Sequence, residues 1–195
     1  MAPSQAPALA ADDGCGIDVA DGRHLRDAFG RFATGIVIVT TQWGGERIGA
    51  TVSSFNSVSL SPPLVSFCIA RSAHAIDVWE NTPSFGISVL ARDQAELSTR
   101  FARSLSDKWA GVATRPAARV PAPLIDGALM WLECQAYARY DGGDHVILLG
   151  RVVAATVNNH VAQEPLLFYG AAYRHLAPKT PQEKIPDNAM WLHGW

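Results

Sequence analysis

The sequence predicts a mainly β protein in which six or seven strands form a barrel, accompanied by a few short helices. Runs rich in valine, isoleucine and leucine recur along the chain, as in GIVIVTT, LVSFCIA and HVILLGRVVAATV. Turn sequences such as WGGE and DGGD join several of these runs, which is typical of antiparallel hairpins. Few helical segments lie between the strands, and this favours a barrel over a doubly wound parallel sheet.

The first half of the chain predicts a helix, a hairpin and a polar loop. HLRDAFGRF has the apolar spacing of a helix, and Gly35 is the expected stop. GIVIVTT and RIGATV predict a hairpin over residues 36–52. The hydroxyl-rich stretch SSFNSVSLSPP then predicts a loop that leads to a third strand at residues 64–70. ARSAHAIDVWENTP predicts a short helix with Ser72 as its candidate N-cap.

The second half predicts one more helix and most of the remaining strands. SFGISVLA is the fourth strand, and DQAELSTRFARS predicts a helix that Asp93 and Glu96 would cap, with Leu97 and Phe101 on its inner face. Residues 109–123 predict an irregular segment. LMWLECQAYARY and HVILLGRVVAATV predict a long hairpin around DGGD, and PLLFYGAAYRHL is expected to close the barrel.

Length and composition favour one globular domain. With 195 residues, of which 48% are hydrophobic and 17% charged, the chain can bury a sizeable core. A net charge of -2 favours neither nucleic acid nor an anionic membrane as a partner, and no apolar run approaches the roughly 18 residues that span a bilayer. We expect a flexible leader at residues 1–22, the domain at 23–176 and a tail at 177–195. Trp191 and Trp195 of this tail would dock on the barrel or on a second subunit, or else cover a ligand site or contact a partner protein.

The N-terminus and the cysteines predict a cytoplasmic protein. The leader lacks the basic region and the continuous apolar segment of a secretory signal. Cys15, Cys68 and Cys134 are odd in number and form no CxxC pair. Cys68 and Cys134 lie in apolar, strand-like runs, where we expect buried packing residues.

The motifs of several common chemistries are missing from the sequence. It contains no GxGxxG after a strand, no GxxxxGK[ST] and no GxSxG. Its six histidines form no HxxxH or HExxH pair, so no metal site is predicted. Catalysis by this chain would therefore depend on a cofactor.

The hydroxyl-rich stretch admits two interpretations from its residues. Neutral hydroxyls and backbone N–H groups can hydrogen-bond the polar edge of a flat heteroaromatic ligand, while the apolar strand that follows supports its rings. The alternative is a solvated, serine-rich connection without a ligand.

Five segments in the same order resemble the short-chain flavin reductase family. They are FATGIVIVTT, IGATVSSFNSVSLSPPLVSFCIAR, SFGISVLARDQAELSTRFA, GALMWLECQAYARYDGGDHVILLGRV and PLLFYGAAYR, within residues 24–176. The resemblance implies an FMN-binding split β-barrel and a homodimer with the flavin at the subunit interface. It also implies an NAD(P)H:flavin oxidoreductase, often the reductase component of a two-component flavin-dependent monooxygenase. The flavin would be FMN or FAD, and NADH is a commoner reductant in the family than NADPH.

The resemblance also implies site residues. The flavin ring and its chain would contact Thr51, Val52, Ser53, Ser54, Ser57 and Val58. The ribityl and phosphate groups would face Ala70, Ser72, Ala73 and His74. Arg100 and Phe101 would lie near the flavin phosphate or adenine, and His145 of the GDH motif would lie beside the nicotinamide as the catalytic residue. Relatives often carry hydroxyls where this chain has Ala73 and Ala75, which leaves the choice between FMN and FAD open.

Three functions are compatible with these residues and with the resemblance. The first is reduction of FMN or FAD by NAD(P)H, with delivery of the reduced flavin to a partner monooxygenase. The second is a reductase that retains its flavin and reduces another acceptor, such as a corrinoid or ferric iron. The third is a non-catalytic flavin-binding module. The nicotinamide could stack directly on the flavin, so the missing dinucleotide motif excludes none of them.

Overall fold

The computed structural model describes residues 16–104, 107–159 and 164–177, and these residues form a mainly β structure. The strands in chain order are β1 (Thr34–Gly35), β2 (Val37–Trp43), β3 (Glu46–Val52), β4 (Asn56–Leu60), β5 (Pro63–Ala70), β6 (Ser84–Val89), β7 (Thr114–Pro116), β8 (Pro123–Ile125), β9 (Met130–Gly142), β10 (His145–Val157), β11 (Leu167–Tyr169) and β12 (Ala172–Arg174). Seven of them form one antiparallel sheet in the order β3-β2-β6-β9-β10-β5-β4.

Two hairpins that the sequence predicts are confirmed. β2 and β3 pair from Val37 with Val52 to Trp43 with Glu46, and the turn glycines Gly44 and Gly45 both have positive φ, as a tight hairpin turn requires. The long hairpin of β9 and β10 is also present, with two register shifts. Because such irregularities increase local twist, they help this sheet to curl.

The curl brings two strands together that are not neighbours in the sheet order. β3 is an edge strand and β5 is the last strand but one at the other side, yet their residues are in contact. Just after β3, the Ser54 hydroxyl accepts a hydrogen bond from the backbone N–H of Cys68 at 2.9 Å. The sheet is therefore an incompletely closed barrel, as the fold class predicted.

The barrel interior is filled by aromatic and aliphatic side chains. Phe67 packs edge-to-face on Trp79 and on Phe85, with ring centroids 5.9 Å and 5.0 Å apart. Cys134 is buried beside them, and loss of hydration raises the pKa of its thiol to about 12. This confirms the packing role predicted for Cys134. Cys68 is only partly buried, and Cys15 lies outside the described residues.

The first helix ends earlier than the sequence predicts. α1 (Gly22–Phe29) begins after Asp21, whose carboxylate accepts the N–H groups of Arg23 and His24. It ends at Phe29, and Gly35 lies in β1 instead of ending the helix. The backbone N–H of Gly30 bonds back into the last turn, and the chain then extends to pair with β11.

The caps predicted for the other two helices are wrong. α2 (Ile76–Asn81) has Ala75 at its N-cap and no side-chain cap, so Ser72 lies outside the helix. α3 (Ala95–Ala102) follows one 3-10 turn, in which the Gln94 side chain accepts the N–H of Ala91 at 3.0 Å. This bond takes the place of the cap expected from Asp93 and Glu96. The prediction that Leu97 and Phe101 face inward is confirmed.

Three strand predictions also need correction. The hydroxyl-rich stretch contains β4, a bulged edge strand that pairs with β5. PLLFYGAAYRHL does not close the barrel, because its strands β11 and β12 form a separate small sheet with β1. The segment expected to be irregular contributes β7, which pairs with β8.

Within the described residues, no helix is long and apolar enough to cross a membrane.

We predict that Gly150→Ala destabilises the barrel. A Cβ at this position in β10 would overlap Cζ of Phe85 and lie 3.0 Å from Cβ of Cys134, so the packed core would have to shift. Overpacking of this kind costs about 2 kcal/mol in the free energy of unfolding, measurable by urea denaturation. Gly35→Ala is the control, since a Cβ there meets nothing within 4 Å. Equal stability of the two variants would contradict the packing argument.

Candidate functional site

A cavity of about 860 Å³ lies where β3 and β5 approach each other. Its walls are β3 and the residues after it, the end of β5 with the turn that follows, the end of α3, residues 108 and 109, and His145. The volume is near the upper end of the roughly 300–1,000 Å³ that is typical of small-molecule sites. The cavity is therefore large enough for an extended cofactor.

The outer edge of β3 forms one wall and supplies backbone hydrogen-bonding groups. β3 pairs only with β2, so every second residue turns its N–H and C=O away from the sheet. At Arg47 and Gly49 these carbonyls accept bonds from Nε1 of Trp109 (2.7 Å) and Nζ of Lys108 (3.4 Å). By the same alternation, the backbone groups of Thr51 point away from β2. An edge of this kind can bind the donors and acceptors of a flat ring.

Gly49 is needed for the close approach of α3 to this wall. A Cβ at Gly49 would lie 2.6 Å from Cε1 of Phe101 and 3.1 Å from the Trp109 ring. Phe101 and Trp109 pack edge-to-face with centroids 4.8 Å apart. These two rings hold the end of α3 and the segment after it against β3.

Several hydroxyls of the wall are used by the protein itself. Thr51 Oγ1 donates to the carbonyl of Ser98 at 2.7 Å, and the buried Ser98 hydroxyl accepts from Tyr173 at 2.9 Å. Ser54 bonds to the backbone of Cys68, as described above. Ser53 and Ser72 are exposed and line the cavity. Part of the polar sequence therefore builds the wall, and part of it is left for a ligand.

His145 stands at the other end of the cavity on an anchored turn. Its Nδ1 is 2.7 Å from Oδ1 of the preceding Asp144, and this contact holds the pKa of the Asp144 carboxyl below its usual range. The backbone N–H of Arg71 donates to the carbonyl of Asp144 at 2.9 Å. The Arg71 guanidinium donates to Gly143 O and to Asp141, which lowers the pKa of Asp141.

The structure brings most of the predicted site residues to this cavity. Those that line it are Thr51, Val52, Ser53, Ser54, Ala70, Ser72, Ala73, His74, Phe101 and His145. Ser57 and Val58 instead lie on the exposed edge strand β4, and Arg100 donates to the carbonyl of Ala110 at 2.8 Å. These three residues are not among those that line the cavity.

A group of lining residues at the α3 end was not predicted from the sequence. Arg47, Arg103, Lys108 and Trp109 all line the cavity, and Glu46 is its only lining carboxylate in the part of the chain that the structure describes. DKWAG, a cation beside a tryptophan in a segment without strand or helix periodicity, was the signal that could have indicated them. The described ranges contain no group of three or more His, Cys, Asp or Glu residues placed to hold a metal ion.

Residues 29–177 match the family described as the flavin reductase like domain. This chain belongs to that family. It is 40% identical over 170 residues to an NADH-dependent FAD reductase from Streptomyces globisporus, and the aligned region covers 85% of this chain and 92% of the relative. It is 35% identical over 174 residues to the reductase subunit HsaB of a flavin-dependent monooxygenase from Mycobacterium tuberculosis, and the aligned region covers 88% of this chain and 92% of that relative.

A solved flavin reductase has the same fold. The Streptomyces globisporus NADH:FAD oxidoreductase SgcE6, solved in complex with NAD and FAD fragments, superimposes with a TM-score of 0.81 at 39% identity, and covers 86% of this chain and 100% of that one. The open barrel described above is thus the split barrel of the flavin reductases, as the sequence predicts. The family match, residues 29–177, begins at the last residue of α1 and includes all twelve strands.

The cavity residues fit a flavin. Neutral hydroxyls and the free backbone edge of β3 suit the carbonyls and nitrogens of an isoalloxazine ring, and the apolar side chains of Val52, Ile69 and Trp79 lie in the same lining. Cations at the α3 end suit phosphate groups. The residues that line the cavity are therefore compatible with the ligand expected for the flavin reductase family.

We predict that Ser54→Ala weakens the fold more than flavin binding. The change removes the acceptor of the Cys68 N–H at the point where β3 and β5 meet, and an unmet backbone donor costs about 1 kcal/mol. Thermal unfolding measures the loss, and fluorescence titration measures flavin affinity. Ser53→Ala is the control, because no hydrogen bond of its side chain is seen within the described residues. Unchanged stability with a large loss of flavin affinity would show that the Ser54 hydroxyl serves flavin binding and not the fold.

Proposed function

We propose that this protein is an NADH-dependent flavin reductase that uses FAD and supplies the reduced flavin to a partner flavin-dependent monooxygenase. The observation that carries the proposal is the cavity at the split of the barrel, with a free strand edge, uncharged hydroxyls and His145 in one lining. The choice of FAD and NADH is supported by the names of the Streptomyces globisporus relatives. A partner monooxygenase is supported by the name of the Mycobacterium relative.

In this proposal the chain orients its two substrates and leaves the redox chemistry to them. A flavin held in this cavity would supply the redox chemistry, taking up a hydride from the nicotinamide and a proton from solvent while NADH is oxidised to NAD⁺. The Thr51–Ser54 segment and the outer edge of β3 hold the flavin ring. The ribityl and phosphate chain that extends from the ring lies along Ala70, Ser72, Ala73 and His74. Orientation of two reactants at close range is itself a large catalytic contribution.

His145 has the position of a nicotinamide-binding residue. Because Nδ1 is held by Asp144, Nε2 is the ring nitrogen left for a ligand. A fixed imidazole can hydrogen-bond the carboxamide of a nicotinamide and so set its angle to the flavin. Arg71 acts behind it, since its bonds to Gly143, Asp144 and Asp141 anchor the turn from which His145 projects.

We also infer a homodimer, the assembly that the sequence resemblance implies. Large apolar side chains on β4, β9 and the end of β10 are exposed in the single chain, which supports burial against a second copy. They are Val58, Leu60, Tyr137, Tyr140 and Val157. Sedimentation of the purified protein at twice the mass of one chain is the expected result, and a monomer at micromolar concentration would contradict it.

The activity test is NADH oxidation at 340 nm by the purified protein, under low oxygen, without flavin and then with FMN or FAD. Saturable turnover with added FAD is expected. Turnover that needs no added flavin, by a protein that retains a yellow cofactor, would favour the reductase of another acceptor. Tight flavin binding without any NADH oxidation would contradict the enzymatic function and favour a non-catalytic flavin-binding module.

We predict that His145→Ala impairs the use of NADH and not the binding of FAD. The loss of one hydrogen bond to the nicotinamide lowers kcat/KM for NADH about tenfold, while the Kd of FAD stays within a few-fold. Steady-state kinetics and fluorescence titration of the same preparation measure both. His175→Ala is the control, because His175 is exposed and outside the lining. Equal losses in NADH use and FAD affinity would show that His145 contacts the flavin instead.

A further inference from the structure

One residue bonds both carbonyls of the loop that precedes His145. This loop consists of Gly143 and Asp144, between the end of β9 and the start of β10. Nε of Arg71 donates to the carbonyl of Gly143 at 3.1 Å, and the Arg71 backbone N–H donates to the carbonyl of Asp144 at 2.9 Å. Gly143 has a φ of 75°, and glycine restricts the backbone less than other residues do. The position of His145 therefore depends on a residue from outside its own hairpin.

Arg71 also belongs to the turn that the proposed function places beside the flavin chain. The backbone N–H of Ala73 donates to the carbonyl of Ala70 at 2.9 Å, so Arg71 and Ser72 occupy the two central positions of a tight turn. Ala70, Ser72 and Ala73 line the cavity, whereas Arg71 is not among the lining residues. Its side chain therefore acts from behind the wall and not as a contact of the ligand.

The guanidinium of Arg71 reaches two further segments. Nη1 donates to Glu80 of α2 at 3.0 Å, and Nη2 donates to Asp141 near the end of β9 at 2.8 Å. Nε is the nitrogen that bonds Gly143, so all three nitrogens of one planar group are used. A planar guanidinium fixes the directions of its bonds relative to one another, which the point charge of a lysine does not. Arg71 thus ties α2 and the β9–β10 hairpin to the turn after β5.

The exposure of these groups argues against a main role in stability. The Arg71 side chain is 44% exposed and that of Asp141 is 80% exposed. Exposed ion pairs contribute little to the free energy of unfolding, because water screens them. The same bonds can still restrict a loop, since local opening depends on the few bonds that the loop itself makes. The network is therefore better suited to fixing a local geometry than to holding the barrel together.

We propose that Arg71 is a positioning residue that fixes the turn carrying His145 relative to the turn beside the flavin, and so aligns the two substrates for hydride transfer. This inference rests on the proposed function, in which NADH loses a hydride to the flavin and the flavin takes a proton from solvent. Transfer depends steeply on alignment, and a misplacement of about 1 Å can cost on the order of 10²-fold in rate. Loss of Arg71 removes no cavity contact, so both substrates still bind, but fewer bound pairs are aligned.

The first test is single-turnover reduction of bound FAD by saturating NADH, in anaerobic stopped flow, with Arg71→Met and wild type. We expect the rate to fall about tenfold, while the Kd values of FAD and of NAD⁺ stay within about threefold. Arg71→Lys keeps the charge without the planar fork, and should restore only part of the rate. Arg92→Met is the matched control, because Arg92 also donates to a carboxylate, Glu164 at 3.4 Å, outside the cavity lining. Thermal unfolding of all variants should resemble wild type.

A double variant tests whether Arg71 acts through His145. When Arg71→Met is added to His145→Ala, the further loss of rate should be less than about twofold, because residues that act through one another are not additive. A further loss as large as that of Arg71→Met alone would overturn the proposed role.

Hydrogen exchange of the backbone amides at 141–146 tests the anchor without any turnover. In the ligand-free protein we expect exchange about tenfold faster in Arg71→Met, and like wild type in Arg92→Met. Unchanged exchange would overturn the inference, as would an unchanged reduction rate or equal losses in rate and in both affinities. In those cases an active wild type shows that the reductase function stands. Faster exchange in Arg71→Met with a wild type that reduces no flavin would instead confirm the anchor and contradict the reductase function.

Discussion

The unpaired outer edge of β3 is the constraint on which the rest of the site depends. A strand edge exposes backbone donors and acceptors, and a protein must cover them or use them. Here part of the edge is covered: Lys108 and Trp109 bond the carbonyls of Gly49 and Arg47, and Ser54 links the chain after β3 to β5. The backbone groups of Thr51 are left between these contacts, beside the cavity. The same opening that keeps the barrel from closing thus produces a place where a ligand can complete the hydrogen bonding of a strand.

The contacts that cover part of this edge also explain why the polar residues of the region divide into two kinds. Thr51 and Ser54 bond to Ser98 and Cys68, so their hydroxyls fix the positions of α3 and β5 relative to β3. A ligand in the cavity would meet their backbone and methyl or methylene groups more than their hydroxyls. Ser53 and Ser72 carry the freer hydroxyls. Neutral groups of this kind orient a redox-active ring without adding a fixed charge beside it, and so alter its electronic properties little.

The sequence predicts the strands of the barrel well and the ends of its elements poorly. Dense β-branched runs such as VIVTT and the glycine turns determine hairpins locally, so the β2–β3 and β9–β10 pairs could be read directly. β4 was missed because NSVSL has few β-branched residues and pairs on one side only. Ser72 was misplaced as a cap because helix starts depend on how the chain arrives from β5. The place of Lys108 and Trp109 beside β3 is harder to predict, since DKWAG marks the segment but the tertiary bonds that bring it to β3 leave no local pattern.

The charge distribution bears on how such a cavity can hold a substrate that must also leave it. The chain as a whole is slightly acidic, at -2, while the α3 end of the cavity carries three cations and one carboxylate. A local positive potential inside a cleft raises the concentration of anionic dinucleotides at its mouth and speeds their entry. Arg103 is exposed and Lys108 half-buried, so water screens much of their attraction once the ligand is in place. We expect rapid capture with only moderate retention from this arrangement, which suits an enzyme for which reduced flavin is a product to be released.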